Sequence, residues 1–112
     1  MTSFNTITAK GGDSVVEVAG RLDMAAAPQF KTQVASTLSG NKRLVVVDLS
    51  GVEFMDSSGL GALISGLRTT RQVGSDLRIA SAQPQVLAVL ELTKIDRILH
   101  PYSSVDEALG AG

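Results

Sequence analysis

Apolar positions along the chain follow two periods, and the switch between them marks out the elements. Leu44-Val45-Val46-Val47 is an unbroken, β-branched run that predicts a central strand covered on both faces and reaching Leu49. Downstream, Leu60, Leu63, Ile64 and Leu67 recur at i, i+3, i+4 and i+7. That spacing predicts a helix that begins near Ser57 and buries one side, with Leu63, Ile64 and Leu67 in the core. Arg71 in its last turn and Gly74 where a left-handed cap would sit mark its end. Between strand and helix lie Asp56, Ser57, Ser58 and Gly59, residues that accept helix-terminal N–H groups and tolerate tight backbone geometry. The stretch reads strand, turn, helix, and it presents two hydroxyls at a helix start.

The remaining elements fall around this unit. Phe4 to Ala9 and Ser14 to Ala19 are β-prone, and Lys10-Gly11-Gly12-Asp13 between them can supply the positive φ angles of a hairpin turn. Gly20-Arg21-Leu22-Asp23 then leaves the second strand. Met24 to Leu38 carries Ala27, Phe30, Val34 and Leu38 at helical spacing, with Pro28 in the first turn and Ser39-Gly40-Asn41-Lys42 at its end. A strand-helix-strand passage of this length favours a right-handed parallel crossover. Leu77 to Ala80 predicts a short strand, Pro84 to Leu92 a helix, and Ile98-Leu99-His100 a brief edge strand. Ser104 and Glu107 form a capping box for a terminal helix with Val105, Ala108 and Leu109 on its apolar side. The predicted fold is α/β: a mixed sheet of four or five strands packed with about four helices, without a deep pocket.

Composition narrows the function. A chain of 112 residues supports one domain, here residues 1–112. Ten basic and eleven acidic residues, in no long block of either sign, leave a net charge of -1 and no nucleic-acid footprint. With no cysteine there is no disulfide framework, thiolate metal site or cysteine nucleophile. The amino terminus lacks a signal-like segment, and no apolar run approaches the ~18 residues of a membrane span. A cytoplasmic protein without a membrane partner is expected.

The Asp-Ser-Ser-Gly turn has two readings. In one, Asp56 or Ser57 caps the helix and Gly59 relieves crowding. In the other, Ser57 is a phosphoacceptor. Gly59, Gly61 and Ala62 leave the first helical turn nearly bare, so another protein can approach closely, and a helix amino terminus tolerates the added charge. Enzyme readings find less support. His100 is the sole histidine, it reads as an edge-strand residue, and the serines do not sit in a Gly-x-Ser-x-Gly elbow. Asp48 and Asp56 lack histidine or cysteine companions for a metal, and Asp48 reads as the end of a strand or a support for the following turn. A phospho-aspartate receiver would need an acidic cluster where Lys10-Gly11-Gly12-Asp13 forms a turn, and Lys94 lies in a helix-end region.

Residues 46–61, Val-Val-Asp-Leu-Ser-Gly-Val-Glu-Phe-Met-Asp-Ser-Ser-Gly-Leu-Gly, resemble the signature of the anti-sigma factor antagonists of the STAS domain family. Gly20-Arg21-Leu22-Asp23 and the closing Ser104 to Leu109 segment are also similar, although Arg21 stands where an acidic residue is frequent. The resemblance implies a non-catalytic switch without a cofactor of its own. Its unphosphorylated form would bind an anti-sigma factor that is also a serine kinase, freeing the sigma factor. The kinase, supplying ATP and magnesium, would phosphorylate Ser57 and break the complex, and a PP2C-type phosphatase would reset it. The implied contact surface comprises Asp56, Ser57, Ser58, Gly59, Leu60 and Gly61, with Asp23 and Met24 beside it; for the last two, plain turn and helix-start roles are the alternative. Related domains also serve as scaffolds in signalling or lipid-transport complexes and as transporter tails. An intact phosphoacceptor and a short chain favour the regulated antagonist.

Overall fold

A computed structural model describes residues 2–38 and 44–110. Strands β1 (Ser3–Thr8), β2 (Ser14–Leu22), β3 (Leu44–Met55), β4 (Asp76–Ala80) and β5 (Pro101–Tyr102) form one five-stranded sheet in the order β1-β2-β3-β4-β5. The β1–β2 hairpin is antiparallel and every other pair is parallel, so the sheet is mixed as expected. Gly11 and Gly12 turn the hairpin with φ of 86° and 89°.

Helices α1 (Ala27–Ser36), α2 (Ser57–Gln72) and α3 (Pro84–Leu92) each follow a strand and return the chain to the next. All three crossovers advance in one direction across the sheet, and with a common right hand they place these helices on one face. Phe30 and Val34 of α1, Leu63 and Leu67 of α2, and Val86 and Leu90 of α3 share a core with Val45 and Val47 of β3. Helix α4 (Val105–Gly110) covers the other face, where Ala108 packs with Val15, Val46 and Ala80. Alternation along β3 therefore feeds two cores, which explains its unbroken apolar run. The predicted helix end at residues 39–42 lies outside the described residues.

Several boundaries differ from expectation for identifiable reasons. β2 continues through Gly20-Arg21-Leu22, and β3 runs past Leu49 to Met55. Beyond Asp48, the last β3 residue paired with β4, the two strands continue as a two-stranded ribbon. Extra residues enter β3 between the partners of Glu17 and Ala19 and again between those of Gly20 and Arg21. These bulges make residues 50–55 look like a turn in sequence. Asp48 lies within the strand, where its Oδ1 accepts the Ser50 N–H at 2.9 Å. Gly51 permits the close approach of the ribbon, since a Cβ there would meet Ala19 Cβ and Val18 O at 2.9 Å.

Helix α1 starts at Ala27, because the Asp23 carbonyl and side chain hold residues 23–26 in a turn. Residues 98–100 do not form the edge strand. Lys94 adopts a left-handed conformation (φ 64°) and starts a 3₁₀ turn over residues 95–97, which moves the pairing to Pro101 and Tyr102. Helix α2 ends as expected: Gly74 (φ 81°) donates to Arg71 O and Ser75 N–H to Thr70 O, the two bonds of a Schellman cap. Among the described residues no helix is long and apolar enough to cross a membrane.

Candidate functional site

The parallel register sets Leu22, the last residue of β2, beside Met55, the last of β3. The residues that follow each strand, Asp23-Met24 and Asp56-Ser57, therefore emerge together, and Asp56 N–H donates to Leu22 O at 3.4 Å. Two loops separated by more than thirty residues in sequence form one surface at the amino end of α2.

Asp56 is the cap. Its backbone is extended (φ -107°, ψ -173°), its Oδ1 accepts the Gly59 N–H at 2.9 Å, and its carbonyl accepts the Leu60 N–H at 3.0 Å. This resolves the choice between Asp56 and Ser57. The Ser57 hydroxyl is exposed and engages no partner among the described residues. Ser58 is half-buried, and its hydroxyl is likewise unengaged. No acidic side chain occupies the first turn, whose leading N–H groups lack intrahelical acceptors. A dianion attached at Ser57 would meet those amides and the positive end of the helix dipole.

The other predicted contact residues divide. Gly61 is exposed, and among the described residues no atom beyond its own helical turn lies within 4 Å of where its Cβ would stand. Met24 is 74% exposed, so its side chain is available at this surface. Asp23 is half-buried and structurally occupied: its Oδ1 accepts from Ala26 N–H at 3.2 Å, and its Oδ2 lies 3.6 Å from Arg21 Nε. Gly59 and Leu60 were expected on the surface, but both are buried. Leu60 is 8% exposed and packs in the main core, while Gly59 lies directly against the Leu22 carbonyl. Of the expected core stripe, Leu63 and Leu67 are buried and Ile64 is half-exposed.

Two residues that sequence reasoning passed over hold this surface in place. Gln85 of α3 clamps Met55 through both halves of its amide: Met55 N–H donates to Oε1 at 2.8 Å and Nε2 donates to Met55 O at 3.0 Å. Gln83 Nε2 donates to Ser50 O at 2.6 Å. Together they satisfy the side of β3 that β4 has left. Arg21 stacks on Phe54, with its guanidinium carbon 4.2 Å from the ring centroid. We expect Gln85→Ala to cost about 2 kcal/mol, since it strands one donor and one acceptor of Met55. Urea denaturation would read this as a lower midpoint with an unchanged m-value.

Ser57 and His100 do not form a pair. Pro101 is level with Ile79, and Ile79 with Val47, whereas Ser57 follows the far end of β3 at Met55. His100 instead packs edge-on against Tyr102, with ring centroids 5.0 Å apart.

This architecture is that of a STAS domain. The STAS family model matches residues 6–108, and the chain belongs to that family. It is 36% identical over 84 residues to a candidate anti-anti-sigma factor of Mycobacterium tuberculosis, covering 75% of this chain and 56% of that protein. It is 39% identical over 69 residues to a candidate anti-sigma factor antagonist of Thermotoga neapolitana, covering 62% of this chain and 59% of that one. The chain thus matches between half and two thirds of the length of these two relatives. The crystal structure of an anti-sigma factor antagonist from Mycobacterium paratuberculosis superposes with a TM-score of 0.85 at 26% identity, covering 97% of this chain and 92% of the other.

Proposed function

We propose that the protein is an anti-sigma factor antagonist whose binding to an anti-sigma factor kinase is switched off by phosphorylation of Ser57. One observation carries the reading: Asp56 alone makes the helix cap, leaving an exposed serine hydroxyl at the helix start with no structural task. Capping therefore does not explain Ser57. The antagonist names borne by relatives of the same family support the choice of partner.

In this account Ser57 is a substrate and the protein is not an enzyme. Its Oγ attacks the γ-phosphorus of ATP held with magnesium by the kinase. The new O–P bond forms as the bond to the β,γ-bridging oxygen breaks, ADP departs, and the hydroxyl proton passes to a base on the kinase. A PP2C-type phosphatase then hydrolyses the ester. Ser57, Ser58, Gly61 and Met24 form the contact surface, with Asp56 and Asp23 shaping it, while Gly59 and Leu60 act from beneath as packing. The site of action is the cytoplasm, where sigma factors work.

Peptide mapping after incubation with an anti-sigma kinase and Mg-ATP tests the assignment. One phosphate on Ser57, absent from Ser57→Ala while that variant still binds the kinase and melts normally, is the expected result. Phosphate on Ser58, or a Ser57→Ala protein that unfolds, would contradict it. Gly61→Ala separates binding from stability. Among the described residues the added methyl meets no atom beyond its own helical turn, so stability should rise by about 0.5–1 kcal/mol from lower backbone entropy in the unfolded state. Kinase affinity should fall, because that methyl stands on the docking face; thermal melting and titration calorimetry read the two effects separately.

A further inference from the structure

Helix α2 carries more than the phosphoacceptor on its outer side. At 100° per residue, Gly61, Ile64, Arg68 and Arg71 all fall within about 40° of Ser57 around the helix axis, so they form one stripe with it. The stripe changes character along its length. It begins with the bare Ser57 and Gly61, passes the half-exposed Ile64, and ends at two guanidinium groups. Beside its far half lies an open groove of about 440 Å³ lined by Ile64, Leu67, Arg68, Arg71, Gln72 and Ile98. Ile98, lifted out of the expected strand by the 3₁₀ turn, is 54% exposed. Among the described residues no acidic side chain lines this groove. Arg71 pairs with Asp76 at 3.3 Å, whereas Arg68 has no hydrogen bond or ion pair among the described residues.

Size connects the groove to the switch. A standard interface buries about 800 Å² per partner, a patch roughly 16 Å in radius. Arg68 stands eleven residues from Ser57, or about 16 Å at the helical rise. A partner that covers Ser57 over a normal area therefore reaches the groove along the same straight helix. We propose that this groove is a second anchor for the same anti-sigma kinase, which inserts an apolar side chain between Ile64, Leu67 and Ile98 and sets a carboxylate against Arg68. The inference rests on the functional reading above and extends it. A second copy of this chain fits poorly, because a two-fold contact centred here would bring Arg68 and Arg71 against their own equivalents.

The distance also assigns the anchor a distinct task. About 16 Å exceeds the ~8 Å screening length at physiological salt, so charge at Ser57 does not reach Arg68 through solvent. The anchor contributes equally before and during phosphoryl transfer, and its loss should raise KM without lowering kcat.

Ile98→Asp and Arg68→Glu test this in the full chain with a kinase that phosphorylates Ser57. Each should weaken binding of the unphosphorylated form about tenfold, as expected for an interface anchor, and raise KM similarly with kcat unchanged. Arg68→Lys should keep most of the affinity, and melting temperatures should match wild type because both side chains are exposed. Affinities within twofold of wild type, in a chain whose Ser57 switch still works, overturn the anchor and leave the switch standing. A fall in kcat alone also overturns it, as does loss of a homodimer with kinase affinity unchanged, which would assign the groove to a second copy. Failure of wild type to bind any anti-sigma kinase overturns the functional reading together with its extension.

Discussion

Gly59→Ala should destabilise the protein by about 3 kcal/mol or more and lower its melting temperature by roughly 10 °C. The ideal Cβ would overlap the Leu22 carbonyl oxygen and stand 2.8 Å from its carbon. These are backbone atoms at the end of a strand, so no side-chain rotation can relieve the clash. Either β2 must part from β3 or the first turn of α2 must lift, and lifting it would break the Asp56 cap as well. The substitution is informative beside Gly61→Ala, two residues away, which should have the opposite sign. Helix propensity alone predicts a gain at both positions; only the strand packed beneath Gly59 reverses it there. Paired thermal melts check this, and a Gly59→Ala chain as stable as wild type would show that the two loops do not meet as described.

Phosphate on Ser57 should weaken kinase binding about a thousandfold, equivalent to ~4 kcal/mol, while leaving the fold intact. The new group carries about -1.5 to -2 charges beside the Asp56 carboxylate, and a partner that covers it must strip its water. Several kcal/mol are lost unless the partner presents cations. In the free chain the same group sits at a helix amino terminus with no acidic first-turn residue, where the dipole stabilises a negative charge by about 0.3–1 kcal/mol and offsets repulsion from the Asp56 carboxylate. The modified protein should thus melt close to the temperature of the unmodified one. Calorimetric titration against the kinase, with melting curves on both forms, separates a surface switch from local unfolding. A lower melting temperature after modification would favour unfolding.

Much of this arrangement is legible in the sequence because the determinants are local. The α2 stripe, the Gly74 cap and the prolines of α1 and α3 act within a turn or two of where they stand. What is not legible depends on partners far along the chain. Bulges break the alternation of β3, so Val52 and Met55, three apart, both point inward and residues 50–55 look like a loop. Asp56 and Ser57 suit a cap equally well; the pairing of Leu22 with Met55 fixes the chain entry that selects Asp56. Leu60 serves in sequence both as a stripe residue and as a contact residue, and burial beneath the loop gives it to the core. Gln85 had no local signal, since its partner lies thirty residues upstream.

The central claim is that one modification at Ser57 separates the protein from its partner. Adding Mg-ATP to a preformed complex with an anti-sigma kinase, and following the mixture by size exclusion with intact-mass and peptide analysis, tests it most directly. The account predicts release of the chain in step with one phosphate on Ser57, and a Ser57→Ala complex that stays together under the same treatment. A complex that persists with Ser57 fully phosphorylated would contradict it.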